Sequence, residues 1–266
     1  MRILAFDIGG TKISSAIVSV CGSLPSSKVS VPTPKSAEDI ENYLSKRLLQ
    51  EEFDGVAIAT AGVVCNEKLV AKPHNLPANY EKINFQKLTT KPFLLENDAN
   101  AALWAEYKIG ALKGTQHSVM LTLGTGVGCG IICDGKILRG KTGAAGEVPF
   151  LLAGRDFAAL AYQNGLQEQD CFAICKLKDE KNPAAVKAFS EWQNRLADCV
   201  SLLNNILDTE AVALSGSLAE IVDYPIVEKA INAKGYHNPL RLEKSLTGND
   251  AGLIGAALLL KDKING

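Results

Sequence analysis

The sequence lacks several features that would assign it quickly. No apolar run reaches membrane-spanning length, and the N-terminus MRILAFDIGG has none of the charged, apolar and cleavage regions of a signal peptide. Net charge is -1, so no basic footprint for nucleic acid or anionic lipid is present. The seven cysteines include no C-x-x-C and are odd in number, which predicts reduced thiols in a cytoplasmic protein rather than a disulfide framework. Cys171 and Cys175 stand four apart on a predicted helix without a histidine or further cysteine near them in sequence, and read as small buried hydrophobes. No low-complexity tract or sharp linker interrupts the chain.

What is present is an ordinary globular composition, 47% hydrophobic and 21% charged, long enough at 266 residues to bury one large core or two modest ones. Alternation predicts a strand over Arg2–Phe6, broken by DIGGTK and resumed over Ile13–Val20: strand, glycine turn, antiparallel return. SVMLTL, GTGVG and CGIIC repeat that pattern after residue 118. Two such openings imply two related lobes, 1–115 plus 249–266 and 116–248. Between them, Ser36 with Asp39 predicts a capped helix to about Leu49, Gly55–Ala59 and Pro92–Leu95 read as buried strands, and Asn97–Tyr107 reads as a helix. Gly, Pro and Ser over Cys21–Lys35 predict loop or edge structure. Helices prevail from Asp156, with one strand at Ala211–Leu214 and a closing helix at Ala251–Lys261.

GKILRGKT, Gly135 to Thr142, fits the Walker A pattern letter for letter. Its surroundings do not. A phosphate loop follows a buried strand and opens a helix, whereas Asp134-Gly135 lies between two apolar strands, as in a two-residue hairpin, and GAAGE is a poor first helical turn. The stretch is expected to be a hairpin leading into a glycine-rich loop.

DIGGTK is the better anion site: Asp7 at a strand end, backbone N–H groups at Gly9 and Gly10, then Thr11 and Lys12, with Lys12 ranked below the glycines. A plain hairpin with a nearby carboxylate is the competing reading. LGTGVG offers a second such turn at Gly124, Thr125 and Gly126. In LLENDANAALWAE, Asn97 and Asp98 sit where a strand becomes a helix; either is a natural N-cap, and the Asp98 carboxylate is also placed to accept a proton from a hydroxyl.

Together these stretches resemble the ROK family of sugar kinases and repressors, in the actin-like ATPase superfamily. DIGGTK resembles its first phosphate loop, LGTGVG its second, ENDAN its catalytic segment, AAGE (Ala144–Glu147) the start of its sugar motif A-G-E-x-G-H, and NDAGLIGAALL its closing helix. The order holds over nearly the whole chain. Within the family, ATAGVV, PHNL and DANAALWAEY look most like the bacterial N-acetylmannosamine kinases.

The resemblance implies an α/β, two-lobed, ribonuclease H-like fold with an interlobe cleft, and transfer of phosphate from ATP to the 6-hydroxyl of a hexose. N-acetylmannosamine in sialic acid catabolism is the expected substrate; a glucokinase or other hexokinase, and a non-catalytic sugar-sensing regulator, are the alternatives. Asp98 is the implied base, and Asp7 faces Mg²⁺ through water. Ser215 and Gly216 resemble the adenosine-side turn, although Ser217 with Glu220 also reads as a helix cap. Gly62, Asn75, Asn97, Asp98 and Glu147 are the implied sugar contacts, with an ordinary turn residue as the competing reading of Asn75 and a structural role for His74. A cytoplasmic homodimer is implied. The family's Gly-His and its C-x-C-G-x-x-G-C-x-E zinc loop are missing: VPFLLAGRDFAAL follows Glu147, placing Pro149 or Phe150 at the histidine position, and no zinc is expected.

Overall fold

The computed structural model describes residues 1–19, 21–24, 28–73, 75–148, 152–234 and 239–266. Val20, His74, Pro149 and Phe150, which carry readings above, lie outside the described residues.

Strand β1 (Arg2–Ile8) is apolar along nearly its whole length and β2 (Lys12–Ser19) carries β-branched Ile and Val, so both are buried on two faces. They pair antiparallel, Ile8 against Ile13 across the glycine turn. β1 pairs parallel with β4 (Gly55–Thr60), and β4 with β7 (Phe93–Asn97). β3 (Val29–Pro32) closes the far edge against β2, giving the order β3-β2-β1-β4-β7. The crossover from β3 to β4 carries helix α1 (Ala37–Leu48), whose cap Ser36 accepts the Asp39 N–H at 3.0 Å. β5 (Val63–Cys65) and β6 (Lys68–Ala71) form a small separate hairpin. Helix α2 (Asp98–Ile109) starts directly after the last residue of β7.

The second sheet repeats the first. β8 (Ser118–Leu123) pairs antiparallel with β9 (Val127–Cys133) and parallel with β11 (Ala211–Ser215), which pairs parallel with β12 (Arg241–Lys244). β10 (Lys136–Ile137) lies on the far edge, so the order β10-β9-β8-β11-β12 matches that of the first sheet strand for strand. The repeated strand–turn–strand pattern in the sequence is thus the visible part of a repeated sheet topology.

The chain divides into two compact units, one of residues 1–113, 137–145 and 249–266, the other of 114–136 and 146–248. Segment 137–145, expected with the second lobe, packs within the first unit. β12 is a strand the sequence reading omitted; RLEK buries only Leu242, too little alternation to announce an edge strand. The Walker-like stretch is a hairpin: Asp134 and Gly135 have φ of 51° and 70°, the two positive values of a type I′ turn, and no helix follows Thr142.

In the second unit, α3 (Gly154–Gln163), α4 (Cys171–Asp179), α5 (Pro183–Leu207) and α6 (Tyr224–Asn232) supply the core. Trp192 of α5 stacks on Phe157 at 5.3 Å between ring centres and donates its indole N–H to the Leu152 carbonyl at 3.1 Å. In the first unit, helix α7 (Ala251–Asn265) is buried from Ala251 through Leu260. Its small residues allow close approach: a Cβ on Gly255 would overlap the carbonyl of Ala101 in α2. Gly255→Ala is therefore expected to push α2 and α7 apart and lower stability by roughly 1–3 kcal/mol, the usual cost of overpacking. Chemical denaturation checks it, and an unchanged midpoint would contradict the close packing.

Candidate active site

The first glycine turn is tied down by its own backbone and by Thr33. Gly9 donates to the Lys12 carbonyl at 3.1 Å, the Thr33 hydroxyl donates to the Gly9 carbonyl at 2.6 Å, and the Thr33 N–H donates to the Thr11 carbonyl at 3.0 Å. Gly10 is required here because the Asn75 side chain lies across it, where a Cβ would sit. The structure thus brings Asn75, an exposed residue read as a sugar contact, onto the turn read as a phosphate loop. Thr33 carries no sequence signal, since a lone threonine between two prolines reads as loop.

Asp7 stands at the end of β1, where a parallel and an antiparallel neighbour fix the backbone. Its carboxylate rests on the first turn of α7: a Cβ on Gly252 would come within 2.8 Å of Oδ2 and 2.9 Å of Cγ. Burial, then the charge of Asp98, pushes the Asp7 carboxyl up to about 7; Lys12 and Lys28 offset this only in part, and Asp250 adds to it. Asp7, largely desolvated, and Asp98 are therefore close enough for each to feel the other's charge.

Asn97 is the N-cap of α2. Its side-chain oxygen accepts the Asn100 N–H at 3.0 Å, and its amide donates to the Gly62 carbonyl at 3.0 Å and to Asp98 Oδ1 at 3.2 Å. Both amide hydrogens are used inside the protein, so Asn97 orients Asp98. Oδ1 of Asp98 also accepts the Ala99 N–H at 2.9 Å. Gly62 has φ of 108° and no room for a Cβ beside the Ala71 carbonyl, Leu69 and Pro73, so only glycine makes this turn. Beneath it, buried Tyr80 and Thr60 share a hydroxyl hydrogen bond of 2.7 Å, and burial together with the Asp98 charge raises the Tyr80 phenol.

In the second unit, Gly124 donates to the Gly126 carbonyl at 3.0 Å, closing the second glycine turn, and the Thr122 hydroxyl accepts the Gly128 N–H at 3.1 Å. Neither Gly124 nor Gly126 has a positive φ, and a Cβ on either meets nothing within 4 Å, so nothing within the described chain requires glycine there. The open space at Gly124 and Gly126 is a cradle that a side chain would fill, and it lets an anion approach the main chain. Thr125 is exposed at its tip. Ser215 ends β11, and Gly216 (φ 85°) packs against the backbone of Leu123, leaving no room for a Cβ. The cap expected at Ser217 does not form. A 3₁₀ turn runs from Ser217 to Ile221 without a side-chain cap, and Glu220 instead accepts from Lys244 at 2.6 Å. Glu147 is exposed; its charge adds to burial in pushing the Cys129 thiol of β9 up to about 12.

In the first unit, the neighbouring carboxylates Asp7 and Asp98 suit a divalent cation such as Mg²⁺, and in the second unit the open turn at Gly124 and Gly126 suits the phosphate oxygens of ATP. Among the described residues, no three His, Cys, Asp or Glu side chains gather as a metal-binding group of their own. None of the helices described is long and apolar enough to cross a membrane.

The sequence profile of the ROK family matches residues 3–156 and 148–263. This chain belongs to the ROK family. N-acetylmannosamine kinase of Haemophilus influenzae strain PittGG is 32% identical to it over 291 residues, spanning 98% of this chain and 96% of that protein. Among solved structures, the ROK hexokinase from Thermus thermophilus aligns with a TM-score of 0.84 at 26% identity, over 100% of this chain and 99% of that one. The ROK glucokinase from Streptomyces griseus, in complex with glucose and AMPPNP, aligns with a TM-score of 0.77 at 25% identity, over 98% and 100%. The ROK fold of the chain is therefore the actin-like ATPase fold of these sugar kinases.

The Asp7 carboxyl has a definite consequence for stability in the ROK protein free of ligand. Because its folded pKa lies above its unfolded one, its favourable contribution is full below about 4 and is lost as pH rises through about 7. Asp7→Asn should therefore raise Tm most at pH 8, with the margin shrinking toward pH 4. Thermal melts across that range without nucleotide or Mg²⁺ check it; a margin independent of pH would contradict the assignment.

Proposed function

We propose that this ROK protein transfers the γ-phosphate of ATP to the 6-hydroxyl of N-acetylmannosamine, a step that would serve sialic acid catabolism. The observation that carries the kinase reading is the pair Asp7–Asp98: two carboxylates held near one another, one beside a phosphate-type glycine turn and one at a helix start. The sugar is drawn from the full-length similarity to N-acetylmannosamine kinases.

Phosphoryl transfer depends mainly on alignment and charge neutralisation. Asp98 would accept the sugar hydroxyl proton as that oxygen attacks, with Asn97 fixing the carboxylate that does so. Gly10, Thr11, Thr125 and Gly126 would hold phosphate oxygens through N–H and hydroxyl groups, with Gly9 and Gly124, whose own N–H groups close the turns, shaping them, and Lys12 adding charge at the edge. Bound Mg²⁺ would supply positive charge against the phosphates, with Asp7 oriented toward its water shell. Ser215 and Gly216 would border the adenosine, and Gly62, Asn75 and Glu147 would face the sugar. The second unit would form the homodimer contact, in the cytoplasm.

A coupled assay of ADP release on N-acetylmannosamine, N-acetylglucosamine, glucose, mannose and fructose tests the substrate. The highest kcat/KM is expected on N-acetylmannosamine; a preference for glucose would make this a glucokinase, and sugar binding without turnover a regulator. Asp98→Asn should cut kcat by at least about 10²-fold with Tm and ATP affinity retained, as expected for loss of a general base. Near-normal turnover in that variant would remove Asp98 from the role.

A further inference from the structure

The Walker-like stretch does not bind a nucleotide in this reading, yet its arginine is firmly engaged. Arg139 donates from Nε at 3.0 Å and from Nη2 at 2.6 Å to Oε2 of Glu96. Glu96 is the residue of β7 just before Asn97, with a side chain 4% exposed against 44% for Arg139. The other oxygen of the same carboxylate, Oε1, accepts the backbone N–H of Asn97 at 2.9 Å and the Asn100 side-chain amide at 3.2 Å. The Glu96 carboxylate is therefore a four-bond hub joining the Walker-like segment to the start of α2. A charge this deeply buried is tolerated because its hydrogen-bonding sites are met and a cation balances it.

The segment is braced a second time. The Arg139 carbonyl accepts the Ala145 N–H at 3.2 Å, closing 139–145 into a loop. Gly143 (φ 83°) lies so close to the Val64 carbonyl of β5 that a Cβ would overlap it. β5 follows Gly62, whose carbonyl takes the Asn97 amide. Both neighbours of Asn97, Glu96 on one side and the Gly62 turn on the other, are thus backed by the same loop.

We infer that Arg139 is a positioning residue for phosphoryl transfer: through Glu96 it fixes Asn97, and through Asn97 the direction of the Asp98 carboxylate. This rests on the kinase reading for its kinetic part only. Arg139 acts through two other residues, so its loss misdirects the base and leaves the glycine turns intact.

The test compares Arg139→Ala, Arg139→Lys and the double variant E96Q/R139Q with the parent protein. Arg139→Ala should lower kcat by about 10–100-fold, the scale set by misalignment of a reacting group. KM for ATP should stay within about twofold, because turns built of main chain hold the phosphates. Millimolar guanidinium should restore part of the lost rate, since the Arg139 side chain is solvent-accessible, and Arg139→Lys should recover part of it without the additive. The double variant leaves no buried unpaired charge; it should melt near the parent temperature yet keep a reduced kcat, lacking the doubled charge-assisted bond. Parental kcat in Arg139→Ala or in the double variant overturns the inference. So does a loss in Arg139→Ala that neither guanidinium nor lysine relieves.

Amide exchange followed by NMR reads the same geometry without turnover. The N–H groups of Asn97 and Asn100 should exchange faster in Arg139→Ala while the interior of α2 is unchanged; unaltered exchange at both overturns the inference. Should the parent phosphorylate none of the sugars, the kinase reading fails, and the exchange measurement still decides whether Arg139 holds the start of α2.

Discussion

Two carboxylates held close enough for each to feel the other's charge are the constraint around which the first unit is arranged. Left to themselves Asp7 and Asp98 would move apart or take up a proton. The fold prevents the first by rigid attachment. Asp7 stands on a strand paired on both edges, and its carboxylate sits over a glycine of α7; Asp98 is locked by an asparagine that is both helix cap and side-chain donor. What remains is a repulsion between them, and with it a demand for the positive charge that would relieve it. In the proposed reaction that demand is what attracts the cation accompanying ATP, so the site is less stable than it would be with neutral residues and more useful because of it.

Glycine serves two purposes here, and the structure separates them. At Gly10, Gly62, Gly216, Gly252 and Gly255 the residue is small because another part of the protein occupies the space. At Gly124 and Gly126 nothing in the described chain does. The first group fixes distances between elements, and the second leaves the main chain reachable from outside. Equivalent-looking motifs in the repeated sheets therefore differ: the first turn is filled by Asn75, the second is open. Substituting alanine is expected to strain the fold at the first group and to obstruct a ligand at the second.

Much of this was readable in one dimension. The two hairpins, the cap at Ser36 and the strand-to-helix junction at Asn97 are local, set by alternation and by side chains that reach three residues along. The false Walker motif was legible for the same reason, since Asp134-Gly135 between apolar strands has one favoured turn. What escaped was held by partners far away in sequence. Thr33 reaches back to Gly9, Gly252 meets Asp7, and Arg139 meets Glu96, and in none of these pairs does one residue imply the other. β12 escaped because an edge strand with a single buried residue has no periodicity to read. At Ser217 the residues of a cap were present, but the backbone took a 3₁₀ turn and Glu220 found Lys244.

The first unit is assembled from three separated stretches of chain, with α7 at its far end in sequence. On the ribosome, β1 and its aspartate emerge well over two hundred residues before the glycine on which that aspartate will rest. Until α7 docks, the apolar surfaces of β1, β4 and α2 that it covers have no partner, and sequence-distant closure of this kind is slow to form. The nascent protein must therefore carry a nearly finished sheet with a missing wall, and Asp7 has nothing to rest on until α7 has been made. Translation order, as much as packing, decides when the first unit can close.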